Sequence, residues 1–415
     1  MNIRELRGTA TRQNAELTFR YNRDHGRHGW LRLTPAYSVK LVDDILNAAD
    51  PGIAVLDPFS GTGTTPLSAA YRNDTGTGVE INHFLTWLAR TKVACYGSKV
   101  LRDVRQVTNE ILAIASAGNV LLIEPPPIHN IERWWDVEQL SFLCTLKAGI
   151  DKTAADYTQC KDLLLVAFCR ILIKLSNAAF NHQSMSFKER DRSQGLLFSQ
   201  KPGFLGLFRT EMNFVLESAA DNPPGKAEIL IGDSRSIPSF VNHKYDLLIT
   251  SPPYPNRISY IRELRPYMYW LGYLKNGREA GEHDWSAIGG TWGIATSRLA
   301  AWERPQNGFC PEYFKKILDD ICKDHNKSGT LLSNYVAKYF YDMWLHMQGI
   351  ANVIANGGEV HYIVGNSTFY KVVVPVDLLF RDMLHEAGFK DIKIVKIRKR
   401  NSKKELFEYD VSARR

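Results

Sequence analysis

Long apolar runs, paired cysteines and a leader are what this chain has least of. No stretch reaches the ~20 apolar residues that a membrane-spanning helix needs; the nearest approach, Leu163 to Leu175, is broken by Arg170 and Lys174. The opening residues, Met1-Asn2-Ile3-Arg4-Glu5-Leu6-Arg7, hold no apolar core of the kind a secretory signal carries. Six cysteines (Cys95, Cys144, Cys160, Cys169, Cys310 and Cys322) are scattered through 415 residues with no C-x-x-C pair. Such spacing argues against a disulfide framework or a metal site and fits reduced thiols in a cytoplasm, with no membrane partner. A chain of this length buries a large core and makes two or three domains, or one elaborated domain.

Acidic residues are outnumbered, and the net charge is +8 with an isoelectric point near 9.0. The first 30 residues hold six arginines (Arg4, Arg7, Arg12, Arg20, Arg23 and Arg27) against three acids. The stretch Lys393-Ile394-Val395-Lys396-Ile397-Arg398-Lys399-Arg400-Asn401-Ser402-Lys403-Lys404 is denser still. Runs like these serve equally as a solvated face and as a phosphate-contacting surface.

One tetrapeptide stands out. Ser251-Pro252-Pro253-Tyr254 follows the apolar run Tyr245-Asp246-Leu247-Leu248-Ile249-Thr250, which reads as a buried strand. Consecutive prolines fix φ and supply no N–H, so the carbonyls there are rigid acceptors. A serine hydroxyl and a proline carbonyl together hold an exocyclic amino group by its two hydrogens, and the tyrosine ring offers a flat face to a base. By itself the Pro-Pro pair is equally a turn that caps a strand.

A second element lies upstream. Ile53 to Leu56 is an apolar strand that runs into Asp57-Pro58-Phe59-Ser60-Gly61-Thr62-Gly63-Thr64-Thr65, after which a helix begins near Thr64 with Pro66 in its first turn. Glycines there let a ligand approach the backbone at the carboxyl edge of a parallel sheet. The third glycine of a dinucleotide fingerprint is missing, and so is the lysine of a phosphate loop. A short second strand, Thr77-Gly78-Val79-Glu80-Ile81, places an acid 23 residues beyond Asp57, where a ribose diol is held in nucleotide-binding sheets. Strand, glycine loop, helix, strand and acid together point to a nucleoside ligand without a phosphate anchor.

These residues resemble the DNA amino-methyltransferases that use S-adenosylmethionine. Asp57-Pro58-Phe59-Ser60-Gly61-Thr62-Gly63 is similar to the family's cofactor loop and Ser251-Pro252-Pro253-Tyr254 to its catalytic motif. The resemblance covers roughly residues 30–95 and 227–275, and the C-terminal part loosely. It implies a doubly wound, Rossmann-like α/β sheet. It also implies cofactor contacts from Thr34, Tyr37, Asp57, Pro58, Phe59, Gly61, Gly63, Glu80, Asn82, Asp233 and Ser234, with Asp233 accepting the adenine amine. Ser251, Pro252, Pro253 and Tyr254 would carry catalysis, with Tyr254 using its ring face and not its hydroxyl. A serine before Pro-Pro-Tyr is typical of the cytosine-N4 branch; adenine-N6 and RNA-base methylases on the same scaffold stay open. Cytosine-C5 chemistry needs a thiolate in a Pro-Cys pair, and no cysteine here follows a proline. The implied partners are double-stranded DNA and a restriction endonuclease encoded nearby.

The remaining chain divides by composition. Residues 1–30 read as a basic arm, 31–97 as the cofactor half of the methyltransferase domain and 98–226 as a helical insertion between the second and third strands. Within that insertion, Asn181-His182-Gln183-Ser184-Met185-Ser186-Phe187-Lys188 offers side chains suited to DNA, or is an ordinary loop. Residues 227–275 form the catalytic part, and their helix carries Arg262, Arg265, Tyr267, Tyr269 and Trp270, core residues before base platforms. Residues 276–333, rich in Gly and Trp, read as a loop-rich insertion. Residues 334–415 complete the sheet through a helix ending at Gly357-Gly358, a fifth strand at Val360 to Val364 and a last one at Ile392 to Ile397.

Overall fold

The structure, a computed structural model, describes residues 13–33, 36–117, 123–179, 186–187, 201–257, 259–291, 294–323, 328–400 and 405–415. Strands covered on both faces read as continuous hydrophobic runs, and the two motif-bearing strands behave so, with Val55, Leu56, Leu248 and Ile249 fully buried. These strands, β1 (Ala54–Asp57) and β4 (Tyr245–Thr250), lie side by side and parallel. β2 (Thr75–Glu80) and β3 (Lys226–Ile231) extend the sheet beyond β1, and β5 (Ile354–Gly365) extends it beyond β4, all parallel. β6 (Lys390–Lys399) and β7 (Phe407–Arg414) close the other end, giving the order β6-β7-β5-β4-β1-β2-β3. β7 alone runs antiparallel to its neighbours. The sheet is thus the doubly wound 3-2-1-4-5-6 order with one reversed strand inserted. Strand order switches direction between β1 and β4, and a ligand crevice opens outside their carboxyl ends.

Helices α1 (Val39–Leu46), α2 (Thr64–Tyr71) and α3 (His83–Val93) accompany the first strands. Four more follow between β2 and β3: α4 (Ser98–Ser116), α5 (Val137–Thr153), α6 (Thr158–Lys174) and α7 (Lys201–Ala219). Their core of Trp135, Phe168 and Phe208 is continuous with Phe84 of α3 and Met268 of α8 (Tyr260–Trp270). Tyr267 and Trp270 of α8 are core residues, 3% and 4% exposed. Among the described residues, no helix is long and apolar enough to cross a membrane.

Two expectations are corrected. Residues 276–333 are largely helical, with α9 (Gly277–Ser286), α10 (Ile294–Ala300), α11 (Glu312–Lys323) and the start of α12 (Gly329–Val353). The Asn276 side chain accepts the N–H groups of Arg278 and Glu279 and starts α9, while α11 buries Phe314, Leu318 and Ile321 on one face. α12 stops at Val353, so Gly357 and Gly358 lie inside β5, where pairing with β4 slips in register. A last helix, α13 (Val376–Glu386), packs Phe380 and Leu384 into the core behind β5 and β7.

The described part of the basic arm, residues 13–30, is folded onto the body of the protein. Trp30 and Arg27 are fully buried. The Arg27 guanidinium donates to the carbonyls of Lys92, Ala94, Ser218 and Ala219 and to Asn222 Oδ1. Carbonyls at the ends of α3 and α7 have no donor within their own helix, and Arg27 supplies five N–H···O bonds to this junction. Arg4, Arg7 and Arg12 lie outside the described residues, as do Thr34 and most of Asn181 to Lys188.

Candidate active site

Outside the carboxyl ends of β1, β2, β3 and β4 lies one cavity of about 700 Å³ that collects both motifs. Pro58, Phe59, Gly61, Glu80, Asn82, Asp233 and Ser234 line one part of it, and Ser251, Pro252, Pro253 and Tyr254 another. The turn after β1 needs its glycines: Gly61 and Gly63 sit at φ +52° and +79°, and a Cβ at Gly63 would come within 2.9 Å of Ala89. Asp57 lies beneath the loop, fully buried, accepting from Thr250 Oγ1 (2.6 Å), the Phe59 N–H (3.1 Å) and the Tyr37 hydroxyl (3.0 Å). Tyr37 also meets Thr65, and burial raises both the Asp57 and Tyr37 pKa values.

Glu80 ends β2 and turns back to the glycine loop. Its carboxylate accepts the N–H groups of Gly61 (2.9 Å) and Asn82 (2.7 Å). Burial nevertheless pushes its pKa up to about 7, against the downward pull of those two bonds. Asn82 caps α3 through the Phe84 and Leu85 N–H groups. Asp233 accepts from Arg235 by backbone and guanidinium, and Arg235 is also paired with Asp342 of α12. Those bonds hold the Asp233 pKa low despite its partial burial. Below Phe59 lies His346, whose Nδ1 meets the Ser234 carbonyl (3.1 Å). A carbonyl only accepts, so Nδ1 carries the proton and Nε2 takes the Tyr362 hydroxyl (2.9 Å).

At the other part of the cavity the Pro253 carbonyl accepts the Tyr339 hydroxyl (2.7 Å), and the Tyr254 N–H donates to the Tyr260 oxygen (2.9 Å). The Tyr254 hydroxyl donates to Glu408 Oε1 (2.8 Å) and lies 3.4 Å from Ser251 Oγ. The hydroxyl, for which the sequence reading gave no use, is thus engaged within the protein. The Arg400 guanidinium sits 4.6 Å from the centre of the Tyr254 ring, and Nη1 donates to the Asn366 carbonyl (3.0 Å). Gly365 permits that approach, since a Cβ there would fall 2.2 Å from Arg400 Nη1. Arg398 binds Glu408 through Nε (2.7 Å) and Nη2 (3.1 Å). Within the basic stretch, Arg398 in β6 and Arg400 just beyond it are turned into the site.

No protein-family model matches the chain. The Type II methyltransferase M.BsoBI of Geobacillus stearothermophilus is 24% identical over 448 residues, covering 97% of this chain and 86% of that protein. The chain is similar to this methyltransferase over nearly its whole length. Two solved structures are also similar. TrmN from Thermus thermophilus has 12% identity and a TM-score of 0.32, over 98% of this chain and 54% of that one. The rRNA methyltransferase aviRa from Streptomyces viridochromogenes has 9% identity and a TM-score of 0.30, over 92% and 86%. The chain spans about half the length of TrmN.

The cavity fits S-adenosylmethionine. Ser60 Oγ is buried in the cavity wall with no hydrogen-bond partner, and a Cβ at Gly61 would meet nothing closer than the Phe59 carbonyl at 3.9 Å, so the loop leaves room for a ligand. Lining residues missed from sequence include Ile81, Arg400 and Glu408. Ile81, large, apolar and 37% exposed, follows Glu80 directly. Arg400 and Glu408 reach the site only through the pairing of β6 and β7.

Proposed function

We propose that this protein is a site-specific DNA methyltransferase that moves the methyl group of S-adenosylmethionine to the exocyclic N4 of cytosine, and that it is the modification enzyme of a restriction–modification system. The observation that carries the reading is the placement of Ser251 and Pro252 in the wall of the same cavity as Gly61, Glu80 and Asp233. An amino nitrogen held by the Ser251 hydroxyl and the Pro252 carbonyl then lies beside a cofactor held by the glycine loop. The similarity to M.BsoBI, a Type II methyltransferase, supports this reading.

In this reading Glu80 takes the ribose hydroxyls, Asp233 the adenine amine, Asn82 and Ser234 the adenine surroundings, and Tyr37, Pro58, Phe59 and Gly61 the remainder, with Asp57 and Gly63 shaping the loop. S-adenosylmethionine supplies an electrophilic methyl group. The chain's own work is positioning. An exocyclic amine is a poor nucleophile because its lone pair delocalises into the ring. Two fixed acceptors on its hydrogens favour the pyramidal geometry, and alignment supplies most of the rate. A stacked base cannot enter such a cavity, so the target nucleotide must be flipped out of the duplex. The test is transfer of labelled methyl to duplex DNA by the parent and by Ser251→Ala. Turnover falls in the variant while calorimetric cofactor affinity stays. Full transfer by Ser251→Ala contradicts the reading.

A further inference from the structure

Methylation of an amino group leaves a proton to be removed, and the cavity wall contains a directed path for it. Ser251 Oγ donates toward the Tyr254 oxygen (3.4 Å), and Tyr254 donates to Glu408 Oε1 (2.8 Å). Both bonds run from Ser251 toward Glu408, which leaves the serine oxygen able to accept. The first gap is longer than an ordinary hydroxyl hydrogen bond; catalytic contacts of this length tighten when substrate fills the site. Glu408 is 4% exposed and is held by two bonds from Arg398, while Arg400 lies over the Tyr254 ring, so the middle and the far end of the path are fixed.

We propose that Glu408 receives the proton of the newly methylated nitrogen through Tyr254 and Ser251. The inference rests on the amine-methylating reading above. The amine lone pair forms the N–C bond to the methyl carbon as the C–S bond breaks, with its electrons left on sulfur. The nitrogen then carries the positive charge. Its proton moves to Ser251 Oγ as the serine proton moves to the Tyr254 oxygen and the tyrosine proton to Glu408 Oε1. Every hydroxyl ends with one proton, the amine is neutral and Glu408 is a carboxylic acid. Burial and the nearby Glu408 raise the Tyr254 pKa, so the tyrosine passes a proton on and does not store a charge. Glu408 touches no reacting atom; it is a positioning residue that also takes the proton.

The test is single-turnover methyl transfer by Glu408→Gln, which keeps an oxygen to accept the Tyr254 hydroxyl but cannot take its proton. Calorimetric cofactor affinity and the fluorescence of 2-aminopurine at the target base show that the variant folds, binds and flips as the parent does. The expected result is a rate lower by roughly a hundredfold, with a deficit that shrinks as pH rises and hydroxide takes the proton. Tyr254→Phe cuts the same path, so it shows a similar deficit and the double variant is no slower than either single one. A parental rate in Glu408→Gln with binding intact overturns the proposal, as do losses that multiply in the double variant. A parent that puts no methyl on any amino group of DNA overturns the underlying reading instead.

Discussion

A carboxyl group buried as deeply as that of Glu80 titrates near neutrality, at about 7, because desolvation outweighs the two N–H groups it accepts. Its ionised form is the better acceptor for two hydroxyls. Cofactor affinity therefore rises as pH climbs through about 7 and is lost as pH falls below it. Titration calorimetry across that range should show the slope, and Glu80→Gln should flatten it and weaken binding by roughly 1.5–3 kcal/mol. A flat parental profile would move the ribose elsewhere. Residues such as Glu80, Asp57, Asp233 and Ser251 were legible in the sequence because each ends an apolar strand in its own local pattern. Ile81 had a signal too, as a large apolar side chain directly after such an acid. Arg400 looked like one charge in a basic run, because nothing local says that Gly365 and Asn366 will receive it.

At the level of elements, the reversed strand β7 decides both the site and part of the stability. Residues 407–414 alternate Phe407, Tyr409, Val411, Ala413 with Glu408, Asp410, Ser412, Arg414, a clear period of two. The pattern was hidden behind the basic stretch before it, and its pairing partners are far away in sequence. Across this sheet His361 of β5 bonds Asp410 of β7 (2.9 Å) and lies 3.6 Å from Glu359. Burial opposes protonation there, but the carboxylates win and push the histidine up to about 10. A folded pKa above the ordinary 6.5 gives stability that is fully present below 6.5 and lost as pH rises through about 10. Urea unfolding should show that decline, and His361→Gln should remove roughly 1–3 kcal/mol at neutral pH and level the profile. An identical pH dependence in the variant would place the pair outside the stability balance. The junction of α3, α7 and the N-terminal segment depends on Arg27 in the same way. Arg27→Met leaves buried carbonyls without donors and should cost roughly 3 kcal/mol. If the variant unfolds at the parental urea midpoint, the junction is held by other contacts.

Over the whole molecule, a net charge of +8 overstates what faces a polyanion, since Arg27, Arg398 and Arg400 are turned inward on carbonyls, Glu408 and the Tyr254 ring. The sequence showed how much positive charge there is and not where it points; only the packing of β6 against β7 settles that. The fold class was readable because strand-terminal motifs and the βαβ rhythm are local, whereas the helices within residues 276–333 were masked by Gly and Trp despite the regular spacing of Phe314, Leu318 and Ile321. What the assembled cavity is for comes down to its product. The direct measurement is mass spectrometry of nucleosides from duplex DNA incubated with the protein and S-adenosylmethionine. N4-methylcytosine is the predicted product. N6-methyladenine alone, or methylation confined to RNA, would contradict the account.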